Sequence, residues 1–195
     1  SVYNRQQCNI NSEQWWKVSC IMSEIRVDAI KTRAGAVPKA SDLGLNITGN
    51  ILQVVNTQVQ TLQAISSTSY TGMSNYNTTI TPSSTSSKIL IHFGYHVFIG
   101  NHTSGQWRAL AIRLMRVTGD TVLITDGNDY GLGANHDDAT DRYMAFASSS
   151  FLDSPSTTSA TTYGLEGKST AGVSHDVNNP SYGKGGFITL YEIAG

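Results

Sequence analysis

Apolar and polar residues alternate along most of the chain after residue 50, which is the period-two pattern of β-strands with one buried face. In residues 88–99, the clearest example, every odd-numbered position is apolar or aromatic, so this face must lie in the core. The even-numbered positions mix leucine and phenylalanine with His92 and His96. Such a mixture is typical of a face that another sheet or subunit half covers, and it makes both histidines candidate interface residues.

Further segments with strand-like patterns, separated by turn residues, follow one another along the same region. A turn of suitable composition, Thr118-Gly119-Asp120, joins two of them into a hairpin. About eight strands predict an all-β fold, a jelly-roll-like β-sandwich. The other predicted strands cover residues 51–62, 69–81, 106–117, 121–125, 142–151, 159–167 and 187–193.

The first 49 residues differ in composition from the rest of the chain. They hold too few apolar residues to bury a core of their own. We therefore divide the chain into an extended N-terminal arm, residues 1–49, and a sandwich domain, residues 50–195. Exposed indoles are costly unless they bury against a partner, so the arm is predicted to anchor the chain and to become ordered only there. An alternative interpretation is that residues 1–21 result from the choice of a translation start upstream of Met22. The predicted anchor residues are Trp15, Trp16, Ile25 and Val27.

Composition narrows the classes of partner. Charged residues make up 14% of the chain and the net charge is −1, so no basic surface is expected to bind nucleic acid. No apolar run approaches the roughly 20 residues of a membrane helix, and we find no signal-peptide pattern at the N-terminus. Both cysteines, Cys8 and Cys20, lie in the arm, so the sandwich is expected to fold without a disulfide in a reducing cytosol.

The richest polar stretch is an oxygen-rich segment after residue 125. Its spacing lacks the closing glutamate of an EF-hand, so a solvated loop is favoured over a calcium site. Loops at the ends of a sandwich often carry recognition, and this one is our candidate for contact with a receptor or another protein. The candidate residues are Asp126, Asn128, Asp129, Tyr130, His136 and Asp137.

We find no pattern that predicts catalysis. His92 and His96 would lie about 13 Å apart along a strand, too far to share one metal ion. Asp137 and Asp138 would point to opposite sides of an extended chain, so they cannot flank one bond. A Gly-x-Ser-x-Gly nucleophile motif does not occur. The sequence therefore predicts a protein that is not an enzyme and holds no metal or cofactor.

Several short motifs nevertheless occur in a specific order: Gly49-Asn-Ile-Leu-Gln-Val-Val55, Ile80-Thr-Pro-Ser-Ser-Thr-Ser-Ser-Lys-Ile-Leu90, Phe151-Leu-Asp-Ser-Pro155 and Ile188-Thr-Leu-Tyr-Glu-Ile-Ala-Gly195. With the segment from Met22, they resemble a family of structural proteins from phages of marine and freshwater bacteria, cyanophages included. Members are described as tail-fibre or virion structural proteins. Their C-terminal domain is similar in pattern to the trimeric jelly rolls of complement C1q and tumour necrosis factor.

The resemblance implies a homotrimer that is assembled in the bacterial cytoplasm and resides in the virion. We expect a tail fibre or appendage that docks on other virion proteins through its arm and exposes the sandwich to a host receptor. Phe187 and Tyr191 of the last strand are expected near the threefold axis, beside His92 and His96. One alternative is a capsid decoration protein of the same fold. A secreted carbohydrate-binding module is the third, less favoured because we find no signal peptide and no aromatic platform beyond Trp107 and the tyrosines.

Overall fold

The computed structural model describes residues 48–99, 108–125, 134–136, 143–170, 172–181 and 185–195. These residues form strands, turns and connections without a helix, and every pair of strands is antiparallel. The predicted all-β class is therefore confirmed. The strands are β1 (Ile51–Val59), β2 (Gln63–Ile65), β3 (Thr71–Ile80), β4 (Lys88–Ile99), β5 (Arg108–Arg116), β6 (Thr121–Ile124), β7 (Ala134–His136), β8 (Tyr143–Asp153), β9 (Thr161–Ser169), β10 (His175–Val177) and β11 (Gly186–Ile193).

Six of these strands form the first sheet, which we call sheet A. Strand β4 lies at its centre and pairs along its whole length with β8. On the other side, β4 pairs first with β11 and then, at Val97 and Phe98, with the short strand β10. Strand β1 continues the sheet beyond β11, and β2 continues it beyond β10. The first and last strands of the sandwich are therefore neighbours.

The remaining five strands form the second sheet, which we call sheet B. Its order is β3-β9-β5-β6, and β7 pairs with the part of β5 that β6 leaves open. Along the sequence the chain crosses repeatedly between the two sheets, since β3, β5 and β9 lie in sheet B while β4, β8 and β11 lie in sheet A. This alternation with adjacent end strands is the arrangement of a jelly-roll-like sandwich, as predicted.

The core lies between the facing sides of the two sheets. On β4 the odd-numbered residues from Ile89 to Val97 are buried, which confirms the face assigned from the alternating pattern. Leu110, Ile112 and Leu114 of β5 meet them from sheet B. Each such side chain contributes about 1.5–3 kcal/mol when it is fully removed from water. The packed interior therefore provides most of the stabilisation that holds the sheets together.

A polar cluster joins the two sheets beside this core. The buried carboxylate of Asp153, at the end of β8, accepts a hydrogen bond of 2.8 Å from the Tyr163 hydroxyl on β9. The same oxygen accepts a bond of 3.1 Å from the Arg116 guanidinium on β5. Burial, together with the bond to Asp153, raises the pKa of the Tyr163 hydroxyl far above its usual value. The tyrosine consequently stays protonated and remains a donor to the carboxylate.

Candidate assembly interface

The outer face of sheet A, turned away from the core, carries most of the exposed large apolar residues in the described part of the chain. Strand register identifies this face, because residues paired across antiparallel strands point the same way. Phe98 pairs with Met144 and Leu90 with Leu152, so β4 and β8 present these side chains together. The exposed apolar residues of the face are Ile51, Val54, Met144, Phe146 and Leu152.

The outer face of sheet B differs because its polar side chains bind one another. Arg113 forms an ion pair with Glu166 at 2.6 Å, and its guanidinium lies 4.1 Å from the centre of the Tyr70 ring. Thr79 and Thr162 share a hydrogen bond of 2.8 Å across β3 and β9. The same side of β5 also carries the buried residues Ala111 and Met115, and Met115 pairs with the exposed Val122. The outer face of sheet B is therefore mixed, whereas that of sheet A carries the larger group of exposed apolar residues, and we take sheet A as the candidate interface.

Four aromatic rings form the centre of the sheet A face, and we call them the ring cluster: His92, His96, Phe146 and Phe187. His92 meets Phe187 edge to face with ring centres 5.0 Å apart, and His96 lies 4.8 Å from Phe146. The phenyl rings converge over Gly94. A Cβ atom at that position would lie 2.7 Å from Phe146 and 2.8 Å from Phe187, so glycine makes the arrangement possible.

Hydrogen bonds fix the orientation of part of this cluster. His92 Nε2 lies 3.1 Å from the Ser148 hydroxyl, which itself donates to the backbone carbonyl of Phe93 at 3.0 Å. Despite this internal order, the side chain of Phe146 remains 52% exposed. Aromatic residues that are held in place while exposed suit a protein interface, because little side-chain entropy is lost when a partner covers them.

The structure brings together the four residues that the sequence assigned to a trimer interface. His92 and His96 lie on β4, and Phe187 and Tyr191 lie beside them on the same face of β11. The assignment of these residues to a trimer interface stays a prediction. The sequence analysis did not identify Met144, Phe146 and Leu152 of β8 as part of this exposed apolar face. A signal was present, because Met144 and Phe146 alternate with alanine in β8, but alternation alone does not reveal which face is buried.

The other predicted sites fall mainly outside the described residues. This applies to the anchor residues of the arm and to the polar loop from Asp126 to Tyr130, as well as to Asp137. For His136 only the backbone is described, as part of β7, where it pairs with Arg108. The anchor and loop assignments remain predictions. The anchor residues concerned are Trp15, Trp16, Ile25 and Val27, and those of the loop are Asp126, Asn128, Asp129 and Tyr130.

Several carboxylates elsewhere in the described ranges are hydrogen-bonded within the fold. The carboxylates of Asp153, Glu166 and Glu192 each accept hydrogen bonds from neighbouring strands or loops. Within the same ranges, no three side chains of the metal-binding types lie close enough together to hold an ion. Nor do the described residues include a helix with the length and apolar character needed to cross a membrane.

Comparisons with known proteins add little. No family model matches the chain, and no curated protein matches it either. Among solved structures, twelve chains match. One comes from the structure of infectious bursal disease virus, Gx strain, with 14% sequence identity and a TM-score of 0.36. The match covers 73% of this chain but only 37% of the viral chain. At this level the likeness carries no argument, and the assignment of fold rests on the two sheets described above.

Proposed function

We propose that this chain is a non-enzymatic structural subunit of a bacteriophage particle that assembles through the outer face of sheet A. The observation that carries the proposal is the concentration of exposed apolar residues on this face. Soluble monomers rarely leave large contiguous apolar patches in contact with water. A copy of the same chain is the partner we favour, since apolar interfaces are typical of obligate homo-oligomers.

The charge distribution supports this assignment. Among the described outer positions of β1, β4, β8 and β11, only Lys88, at one end of β4, carries a formal charge. Protein interfaces have few charges at their centres and many aromatic residues, which matches the ring cluster. A membrane or nucleic acid surface would instead favour basic side chains here.

The dimensions of the face also fit a protein partner. Strand β4 has 12 residues, which corresponds to about 40 Å at roughly 3.3 Å per residue. Strands β1, β8 and β11 are shorter, with 9, 11 and 8 residues, so that at a spacing of about 4.8 Å the four strands together cover roughly 630 Å². A stable complex commonly buries about 800 Å² on each partner. Three copies is the number implied by the resemblance to phage structural proteins and to the trimeric jelly rolls.

Mass in solution tests the assembly. The 21.0 kDa chain should behave at micromolar concentration as a particle of about three times that mass in multi-angle light scattering, with mass action holding it together. High salt should leave the trimer intact, because the interface is apolar and screening affects mainly charged contacts. A stable monomer under these conditions contradicts the assembly proposal.

Within the particle, we propose that the trimer is a tail fibre or appendage that docks through residues 1–49 and exposes the sandwich to the host. The alternative is decoration of the capsid by the same fold. Purified protein should adsorb to cells of a susceptible cyanobacterial host if it is an appendage. A decoration protein would fail to adsorb but would restore heat resistance to heads stripped of their accessory proteins.

A further inference from the structure

Hydrogen bonds fix the proton of the His92 side chain on one of its two ring nitrogens. The Ser148 hydroxyl has a single proton, which it donates to the backbone carbonyl of Phe93 at 3.0 Å. It can therefore only accept from His92, whose Nε2 lies 3.1 Å away. Nε2 consequently carries the proton of the neutral imidazole, and Nδ1 is the atom that takes up a second proton when the ring becomes charged. Both forms keep the bond to Ser148, so a charged His92 leaves the subunit's own hydrogen bonds intact.

The described side chains around His92 include no carboxylate that could balance a second proton. The titratable groups on the same face are Tyr191 of β11, beside it, and Lys88 and His96 of β4, each four residues away. A protonated lysine only adds positive charge. The described outer positions of β1, beyond β11, are uncharged. The remaining outer neighbours of His92 are Ser148 and Ser150 of β8 and Phe187 and Thr189 of β11.

His96 differs from His92 because a carboxylate lies near it. Asp176 of β10 pairs with Phe98, the next outer position of β4 after His96. Diagonal neighbours of this kind are about 7–8 Å apart in an antiparallel pair, whereas His92 is six residues from Phe98, about 20 Å along the strand. The carboxylate of Asp176 accepts a hydrogen bond from Asn179 at 2.7 Å, which holds it in place. A charge on His96 therefore has a partial counter-charge, whereas a charge on His92 has none among the described residues.

An uncompensated charge on His92 matters only when the face is covered. On the free subunit water solvates the imidazolium, but in the assembly proposed above the ring would lie in an apolar interface, where an unpaired charge is costly. Three such rings related by a threefold axis would also repel one another. We propose that His92 is a pH-dependent switch of assembly: the neutral ring permits the trimer, and protonation at Nδ1 releases folded subunits. This proposal rests on the proposed assembly through the outer face of sheet A.

The direction of the effect follows from the number of protons bound in each state. Because the free subunit binds a proton that the trimer excludes, dissociation takes up about three protons and is favoured as the pH falls through the histidine range. A histidine in water has a pKa of about 6.5, and on that basis each site contributes about tenfold between pH 7.5 and 5.5, and three sites about 1,000-fold in the overall dissociation constant. The midpoint concentration of a monomer–trimer equilibrium varies as the square root of that constant. Assembly should therefore require about 30-fold more protein at pH 5.5 than at pH 7.5.

Sedimentation velocity of the full chain, over a dilution series at pH 7.5 and at pH 5.5, tests the proposal. We expect the midpoint concentration of the wild type to rise about 30-fold at the lower pH. His92→Gln keeps an amide donor for Ser148 but cannot become charged, so its midpoint should rise by less than about threefold. His96→Gln is the matched control and should retain most of the wild-type rise. The other histidines are unchanged in both variants, so the comparison reports on the two substituted positions: His102, His136 and His175.

The switch is contradicted by a wild-type midpoint that does not move, by a response of His92→Gln as large as that of the wild type, or by loss of the response in His96→Gln. Circular dichroism at both pH values is needed because His175 is buried within the subunit. Unfolding at pH 5.5 would contradict the release of folded subunits. A trimer without a pH response contradicts only the switch, whereas a monomer at pH 7.5 contradicts the assembly proposal and the switch together.

Discussion

At the scale of single residues, Glu192 is the most constrained ionisable group in the described structure. Its side chain is fully buried, yet both carboxylate oxygens have donors. One oxygen accepts from the backbone and the hydroxyl of Ser83, each at 2.6 Å, and the other accepts from Gln53 at 2.6 Å. Burial tends to raise the pKa of Glu192, but the bonds from Ser83, Gln53 and Ser87 outweigh it and hold the pKa below its usual value.

Replacing this carboxylate should destabilise the fold. Glu192→Gln turns one acceptor oxygen into an amide donor that faces existing donors, and we expect a loss of about 2 kcal/mol in the free energy of unfolding at pH 7. The lowered pKa contributes stability above the unfolded value of about 4.3, and this contribution is lost as the pH falls through the folded pKa. Urea denaturation should therefore show that the difference between wild type and variant narrows below about pH 4.

Glu166→Gln is the matched control for this substitution. Its ion pair with Arg113 lies on the outer face of sheet B, where solvent weakens the interaction. We expect its cost to stay below about 1 kcal/mol. An equally large loss of stability in Glu166→Gln would contradict the view that burial and full hydrogen bonding make Glu192 the more important carboxylate for the fold.

Gly94 offers a way to disturb the ring cluster without removing a ring. In Gly94→Ala the new methyl group would displace the rings of Phe146 and Phe187. We expect the isolated subunit to lose only about 1 kcal/mol, while the trimer dissociates at higher protein concentration than the wild type. Gly72→Ala is the control, because nothing lies within 4 Å of the added atom there. Equal effects of both variants on the trimer would contradict this role of the cluster.

At the scale of elements, β8 contributes most to the exposed apolar face while contributing little to the core. Its outward residues Phe146 and Leu152 are about half exposed, at 52% and 48%. It pairs with β4 along its full length, and no other described strand pairs with it. Substitutions on its outer side should consequently separate assembly from folding.

The double variant Phe146→Ser/Leu152→Ser tests this separation. We expect it to shift the protein from trimer to monomer in light scattering, because it replaces apolar contacts at the proposed interface with hydroxyls. The fold should remain, as read from the circular dichroism spectrum, since neither side chain is buried in the subunit. Val117→Ser/Val122→Ser changes two apolar residues that are also exposed, at 43% and 39%, but lie outside this face, and it should leave the trimer intact. If the Phe146→Ser/Leu152→Ser protein remained trimeric, β8 would not be part of the interface.

The positions of the long strands are the part of the fold that the sequence predicts best. All eight predicted strands occur, and their ends in the structure differ from the predicted ends by at most three residues. Alternation succeeds because long strands with one buried face display it directly. Strands β2, β7 and β10 were not predicted, because three residues are too few to show a period. The pairing of β1 with β11 could not be predicted either, since alternation does not encode which strands are neighbours.

At the scale of the whole molecule, the described strands of both sheets lie within residues 51–193. Just before β1, the backbone N–H of Gly49 donates to the carbonyl of Ala194 at 2.8 Å. Asn50 accepts from Ala194 in return, also at 2.8 Å. The predicted division into an arm, residues 1–49, and a sandwich, residues 50–195, stays a prediction. The anchor residues of the arm were predicted from composition alone and stay a prediction.

Removal of residues 1–47 should therefore leave folding unaffected and abolish incorporation into the particle. We expect the melting temperature of the truncated chain to lie within a few degrees of the full-length value, because the described strands of both sheets lie within residues 51–193. Incorporation is measured by complementation of phage that lack the gene, followed by mass spectrometry of purified virions. A truncated protein that still enters the particle would contradict the anchoring role of Trp15 and Trp16.

The adjacency of β1 and β11 also has a consequence for how the protein is made. Gln53 and Glu192 are in contact although 139 residues separate them, and pairings of such long range fold slowly because a large loop must close first. On the ribosome, β11 emerges after every other strand of the sandwich, and it carries Phe187 and Tyr191 of the outer face. Neither the closed sheet nor the complete face exists until then. Partly synthesised chains that lack β11 would therefore not present the complete face through which we propose that subunits assemble.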